Sequence, residues 1–200
     1  SYSIQSYKDG FIAYDESYSE IKYFADMKAG AVELDAPLPD SEKLVPVSLE
    51  VHGGSITRLF SEERSHDDQG LRDNNLEPNK PVRISGDSEV FITTQHKTTR
   101  HRFSQAYFSA TTCGLNKLCM YGMETLDVYD TSEKPTRLYS IHNVDAIKTI
   151  GEMLLVVRKN EVISLDVESS AGYASYTFGS RAYCGIQVLN DDYIVCAADN

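Results

Sequence analysis

The side chains that could do chemistry are few, and none stands in a recognised catalytic spacing. The 200 residues hold no Gly-x-Ser-x-Gly, no P-loop, no His-Glu-x-x-His and no dinucleotide fingerprint. His66-Asp67-Asp68 places one imidazole beside two carboxylates. Gln69-Gly70-Leu71 then supplies no carboxylate where a calcium loop needs one, so the stretch reads as a solvated loop. Lys97, Arg100, His101 and Arg102 form the one basic cluster, beside Thr98-Thr99. They could receive a phosphate or an acidic peptide, or could simply face solvent from a hairpin turn. His52 precedes Gly53-Gly54 and reads as a turn residue, with no nucleophile or acid to partner it. Asp127 and Asp166 lie in apolar strands, where a carboxylate is costly unless hydrogen-bonded. A structural role fits them better than catalysis. No cofactor or metal is expected.

The four cysteines are Cys113, Cys119, Cys184 and Cys196, and no two form a Cys-x-x-Cys pair. A zinc ribbon or a thioredoxin-like site is therefore excluded by spacing. Each lies beside apolar residues and reads as a buried, unbridged small hydrophobe of a reducing compartment. No run of apolar residues approaches the ~18 of a membrane span, and no secretory signal or Asn-x-Ser/Thr acceptor occurs. An intracellular protein, cytoplasmic or nuclear, is the expectation. The net charge is −11, with 18 acidic and 11 basic residues in the first hundred and 12 and 8 in the second. Such a surface repels phosphate backbones and steers toward proteins, basic ones above all.

Residues 1–200 are expected to form a single β-rich domain, a length that buries roughly 70% of the unfolded surface. There are 13 Tyr and no Trp, and the β-branched and aromatic residues come in short clusters. Between residues 114 and 200 a four-part cadence recurs. Gly114 to Tyr121, Thr125 to Tyr129 and Arg137 to Ile141 read as strands, with breaks at Gly122-Met-Glu and Asp130 to Pro135. Met153 to Val157, Val162 to Leu165 and Tyr173 to Phe178 repeat the order, and Tyr183 to Leu189 with Tyr193 to Ala197 begin it again. Leu118, Leu155 and Val195 superpose at steps of 37 and 40, and Cys119, Val156 and Cys196 follow one place later. A period of about 40 residues with four short strands is that of a β-propeller blade.

Toward the N-terminus the pattern is looser. Gly10 to Tyr14 with Tyr18 to Phe24, Val47 to Val51 with Ser55 to Phe60, and Gly86 to Thr94 with Arg100 to Phe103 read as hairpins. Ala31 to Pro46 reads as a loop, and Ser61 to Pro81 as a long mobile one. At about 40 residues per blade, seven blades would need roughly 280. The expected fold is therefore all-β, with four-stranded antiparallel propeller-type blades in an incomplete ring or in part of a larger propeller. A strand at Phe11–Tyr14 could close such a ring.

Thr125-Leu-Asp-Val-Tyr-Asp130, and His142 followed by Val144, Ile147 and Ile150, resemble the strand ending and blade start of the WD-repeat family. Gly179 to Ala197 has the same cadence, and the resemblance covers about 90 residues. It implies a protein-interaction scaffold, a subunit or fragment of a larger complex, binding other proteins or peptides through loops on one face. Carried over by position, those loops hold His142, Asn143, Arg158, Lys159, Asn160, Gly179, Ser180 and Arg181, with Tyr183 just behind. Arg and Tyr are common interface anchors. A propeller-based hydrolase and a purely structural segment of a large assembly are the alternatives.

Overall fold

The computed structural model describes residues 1–62, 86–94, 97–158 and 160–170, and the strands 172–177, 182–189 and 192–198. Every regular element among them is a strand. Two compact units divide the chain, Ser1–Thr111 and Thr112–Asn200.

The first unit holds β1 (Tyr2–Tyr7), β2 (Gly10–Asp15), β3 (Ile21–Phe24) and β4 (Val32–Leu34) in one sheet. A second sheet holds β5 (Leu44–His52), β6 (Ser55–Glu62), β7 (Ser88–Thr93) and β8 (Thr98–Phe103). Strands follow chain order and pair antiparallel, which is the meander of a propeller blade. Side chains alternate between the two faces of a strand. Tyr7, Ile12, Tyr14 and Ile21 of the first sheet therefore pack as one layer on Leu49 and Ile56 of the second. Burying Ile12, Ile21 and Ile56 completely contributes roughly 1.5–3 kcal/mol each.

Two regions read as loops are in part strand. Val32–Leu34 is β4, and β5 begins at Leu44, so Pro46 lies within a strand. The register shifts between Pro46 and Ser48, and a bulge is where a strand tolerates a residue without an N–H. Ser61 and Glu62 end β6, and the remainder of the expected mobile loop lies outside the described residues. At the β2–β3 turn, Asp15 accepts hydrogen bonds from the hydroxyls of Ser17 and Ser19 and from the amide of Glu20. Burial pushes its carboxyl up, but these donors together outweigh burial and hold it at about 2.

The second unit repeats the blade. β9 (Ser109–Cys113) precedes it in chain order and joins β10 (Lys117–Gly122), β11 (Thr125–Asp130) and β12 (Arg137–His142) in one sheet. β13 (Ala146–Ile150), β14 (Met153–Arg158), β15 (Glu161–Asp166) and β16 (Gly172–Thr177) form the next, and β17 (Ala182–Leu189) pairs with β18 (Asp192–Ala198). Cys113, Cys119, Leu126 and Val128 meet Val144, Leu154, Val156, Leu165 and Val167 in a buried layer between the two four-stranded sheets. Glu168 pins one end of this seam, accepting from the Leu115 amide at 2.7 Å and ion-pairing with Lys117. Gly114, with a φ of 51°, lies so close that a Cβ there would sit 2.8 Å from a Glu168 oxygen.

Cys113 and Cys119 are joined in a disulfide, with their Cα atoms 6.0 Å apart. This corrects the reading of Cys119 as an unbridged side chain. Its expected equivalence to Val156 is one residue out: the hairpins ending at Gly122–Thr125 and Arg158–Glu161 superpose at a step of 36, so Cys119 corresponds to Leu155, although Cys119 and Val156 are both buried. Ser109–Cys113 carries no apolar alternation, so its sequence gives no strand signal that would bring Cys113 to Cys119. A three-residue turn brings Cys113 back beside β10. Disulfides are features of oxidising compartments, so free cysteines no longer support an intracellular location. The side chains of Cys184 and Cys196 lie outside the described residues.

Two expectations follow. Denatured without reductant, the protein should leave Cys113 and Cys119 unalkylated in peptide mass spectra, and reductant should expose both. Cys119→Ser should cost about 2 kcal/mol of stability; alkylation of either residue before reduction would refute the bridge. As for Asp15, its folded pKa lies below the 3.8 of the free side chain. Its contribution is therefore complete above about pH 4 and is lost as pH falls toward about 2. Asp15→Asn should flatten the decline of the thermal midpoint across that window.

Candidate interaction face

Three connections of the second unit meet at one end of its blades. Gly122 pairs with Thr125 around Met123-Glu124, and Arg158 pairs with Glu161 around the next hairpin end. Between them the chain crosses from β12 to β13 through Asn143 to Asp145. Glu124 and Asn143 take left-handed backbone, with φ of 52° and 58°. Asn tolerates this region better than most residues because its short polar side chain bonds locally.

The crossing is fastened to both neighbours. The Val144 amide donates to the Glu124 carbonyl at 3.0 Å, and the Asp145 amide to the Val157 carbonyl at 2.8 Å. From β10, the Tyr121 hydroxyl lies 2.9 Å from the Val144 carbonyl and 3.1 Å from that of Asp145. Burial raises the Tyr121 pKa, with the charges of Asp145 and Glu124 adding to it, so the hydroxyl stays a donor. Val144 is wholly buried under this lattice.

His142, Asn143, Arg158 and Asn160 are thereby brought to one end of the unit. Asn143 is exposed, and His142, Arg158 and Asn160 are half-buried. His142 ends β12 opposite Thr125, and its buried Nδ1 has no hydrogen-bond partner among the described residues. Lys159, Gly179, Ser180 and Arg181 lie outside the described residues. Tyr183 is in β17 opposite Ala197, beside a bulge, and its side chain is likewise outside them.

Sequence reasoning missed Glu124, Asp145 and Tyr121. The signal for Glu124 was present, because its turn holds the same place in its blade as Arg158–Asn160 in the next. Glu124 and Asp145 are exposed, and Glu161 stands directly across the ladder from Arg158. Among the described residues, carboxylates therefore outnumber cations here.

The other residues singled out lie elsewhere. On β8, alternation turns His101 inward, where it is 4% exposed, and leaves Arg100 and Arg102 outward. His101 thus departs from a solvent-facing basic cluster. His52 pairs with Ser55 across the Gly53-Gly54 turn. Asp127 is fully buried and accepts from the Ser140 hydroxyl. Asp166 accepts from the Glu168 amide at 3.0 Å and the Ser169 hydroxyl at 2.6 Å, closing a turn. His66-Asp67-Asp68 lies outside the described residues.

No family model matches the sequence, and no curated protein does. Among solved structures, the chain is similar to that titled "Crystal structure of HIRA(644-1017)", with a TM-score of 0.48 and 11% identity, covering 82% of this chain. It is also similar to a chain of "Crystal Structure of Mitotic Checkpoint Complex", with a TM-score of 0.40 and 11% identity, covering 90% of this chain. The chain spans 52% and 64% of the lengths of those two chains.

Tyr121→Phe removes the hydroxyl that ties β10 to the crossing. Stability should fall by about 1 kcal/mol, and amide hydrogen exchange at residues 143–145 should quicken. Unchanged exchange there would mean that the backbone bonds alone hold the crossing.

Proposed function

We propose that this chain is a protein-interaction scaffold, and that the end of its second unit carrying Glu124, His142, Asn143, Asp145, Arg158 and Asn160 is the face that takes a partner peptide. One observation carries the reading. The crossing from β12 to β13 is tied to both flanking hairpins by the Val144 and Asp145 amides and the Tyr121 hydroxyl. The backbone of such a platform is held before a partner arrives, so association loses less conformational freedom.

The charge argues for the partner's chemistry. Glu161 stands across the ladder from Arg158, and Glu124 and Asp145 lie at the same end, on a chain of net charge −11. A basic segment would be steered to this end and would find acceptors there, while Arg158 and His142 would fix its register. On this reading the chain serves as one subunit of a larger complex.

The test is a pair of double variants, Asn143→Ala with Arg158→Ala and Glu124→Gln with Asp145→Asn. Exposed substitutions usually change stability by no more than ~0.5 kcal/mol. Loss of an interface anchor costs ~2 kcal/mol or more, about thirtyfold in affinity. Each variant should keep a melting temperature close to that of the parent and lose partners in a pull-down. An unchanged partner set would sink the assignment.

A further inference from the structure

The first unit holds a groove of about 550 Å³ lined by Asp40, Ser41, Asp87, Glu89, Arg100 and Arg102, among others. Its chemistry centres on two guanidinium groups. Arg100 and Arg102 are neighbours on the outward face of β8. Their Nη2 atoms lie 3.0 and 3.2 Å from the same oxygen, Oδ2 of Asp40. Beneath them, Glu89 is 3% exposed, ion-paired with Arg100 Nε and 3.7 Å from Arg102 Nε.

The two carboxylates differ in kind. Glu89 is buried, and its pairing fixes the plane of the Arg100 guanidinium, because an unpaired buried charge is strongly destabilising. Asp40 is 77% exposed and belongs to the β4–β5 connection. That connection is held independently upstream, where Arg58 Nη1 donates to the Pro37 carbonyl at 2.9 Å. Removing Asp40 from the arginines therefore frees the end of an already anchored loop. Arg102 is 67% exposed and has donors to spare.

We propose that Arg100 and Arg102 form a binding site for an anionic side chain of a protein partner, and that Asp40 is an internal occupant which that side chain displaces. The proposal rests on the protein-interaction reading but uses a different surface. A carboxylate and a phosphate share the required chemistry, an oxygen accepting from both guanidinium groups. A phosphate brings up to two negative charges against the one of Asp40.

The test uses the full chain and two fluorescent probes, a hexaglutamate peptide and a neutral peptide bearing one phosphoserine, read by anisotropy. Asp40→Asn should tighten binding of one or both by about threefold to fivefold, the range expected from removing an exposed competing ion pair. The probe tightened more identifies the anion. Adding Arg102→Gln to Asp40→Asn should abolish the gain while leaving the Arg100–Glu89 pair in place. Glu33→Gln, an exposed charge change elsewhere on the unit, should produce no gain. Binding that Asp40→Asn leaves unchanged, or a gain that survives Arg102→Gln or is matched by Glu33→Gln, would overturn the proposal. None of these variants touches the face of the second unit, so failure here leaves the pull-down result independent.

Discussion

The structure depends on burial of apolar surface between stacked four-stranded sheets. A blade of this size cannot cover both of its own faces. In the first unit, Ile12 and Ile21 are dry only because Leu49 and Ile56 lie against them. In the second, Leu126 and Val128 rely in the same way on Leu154, Val156 and Leu165. Several kcal/mol per seam follow from such burial, more than any single surface contact supplies. The strands can then be short and the turns varied, because each sheet is held by its neighbour as well as by its own ladder.

That constraint explains how polar groups are handled at the seams. Arg58 is completely buried on β6, on the same face as Ile56. Desolvation lowers its pKa to about 10, so it remains charged at neutral pH. Nη1 donates to the carbonyls of Tyr18 and Pro37, and the guanidinium lies 4.9 Å from the centre of the Phe91 ring. The ring's negative face replaces part of the hydration lost. Tyr139 does related work in the second unit, donating to the Val167 carbonyl at 2.7 Å. Burial, with Asp166 and Glu168 adding to it, pushes its pKa up to about 12 and keeps it a donor. Each of these groups reaches from one sheet to the backbone of another segment. They fix the register of the stack, a thing that apolar burial by itself does weakly.

The two surfaces read as functional exploit this frame differently. At the end of the second unit, backbone hydrogen bonds hold the connecting segments, and the side chains of Glu124, Asn143 and Asp145 stay exposed. On β8 the side chains meet each other, and two guanidinium groups are shared between one buried and one exposed carboxylate.

What the sequence determined by itself is local. Alternation and turn residues placed the hairpin of residues 47–60 and the succession of strands from residue 117 onward, because both signals are written within a few residues. Tyr2–Tyr7, whose first four residues do alternate, pairs along its whole length with β2, whereas Ser109–Cys113 carries no alternation and becomes a strand because a neighbouring strand offers its ladder. Period-matching put Cys119 in the core, one residue out of register with the next blade, yet it was silent on Cys113, whose approach depends on pairing across a turn. The family resemblance put His142 and Arg158 in blade-end loops, and the period carried the place of Glu124 as well, but neither gave a hint of Tyr121. Arg100 and Arg102 stood out as a basic cluster from composition alone. Only the tertiary structure brought Asp40 to them from sixty residues away, because pairing of charges distant in sequence follows from how sheets and their connections pack, and no local pattern encodes it.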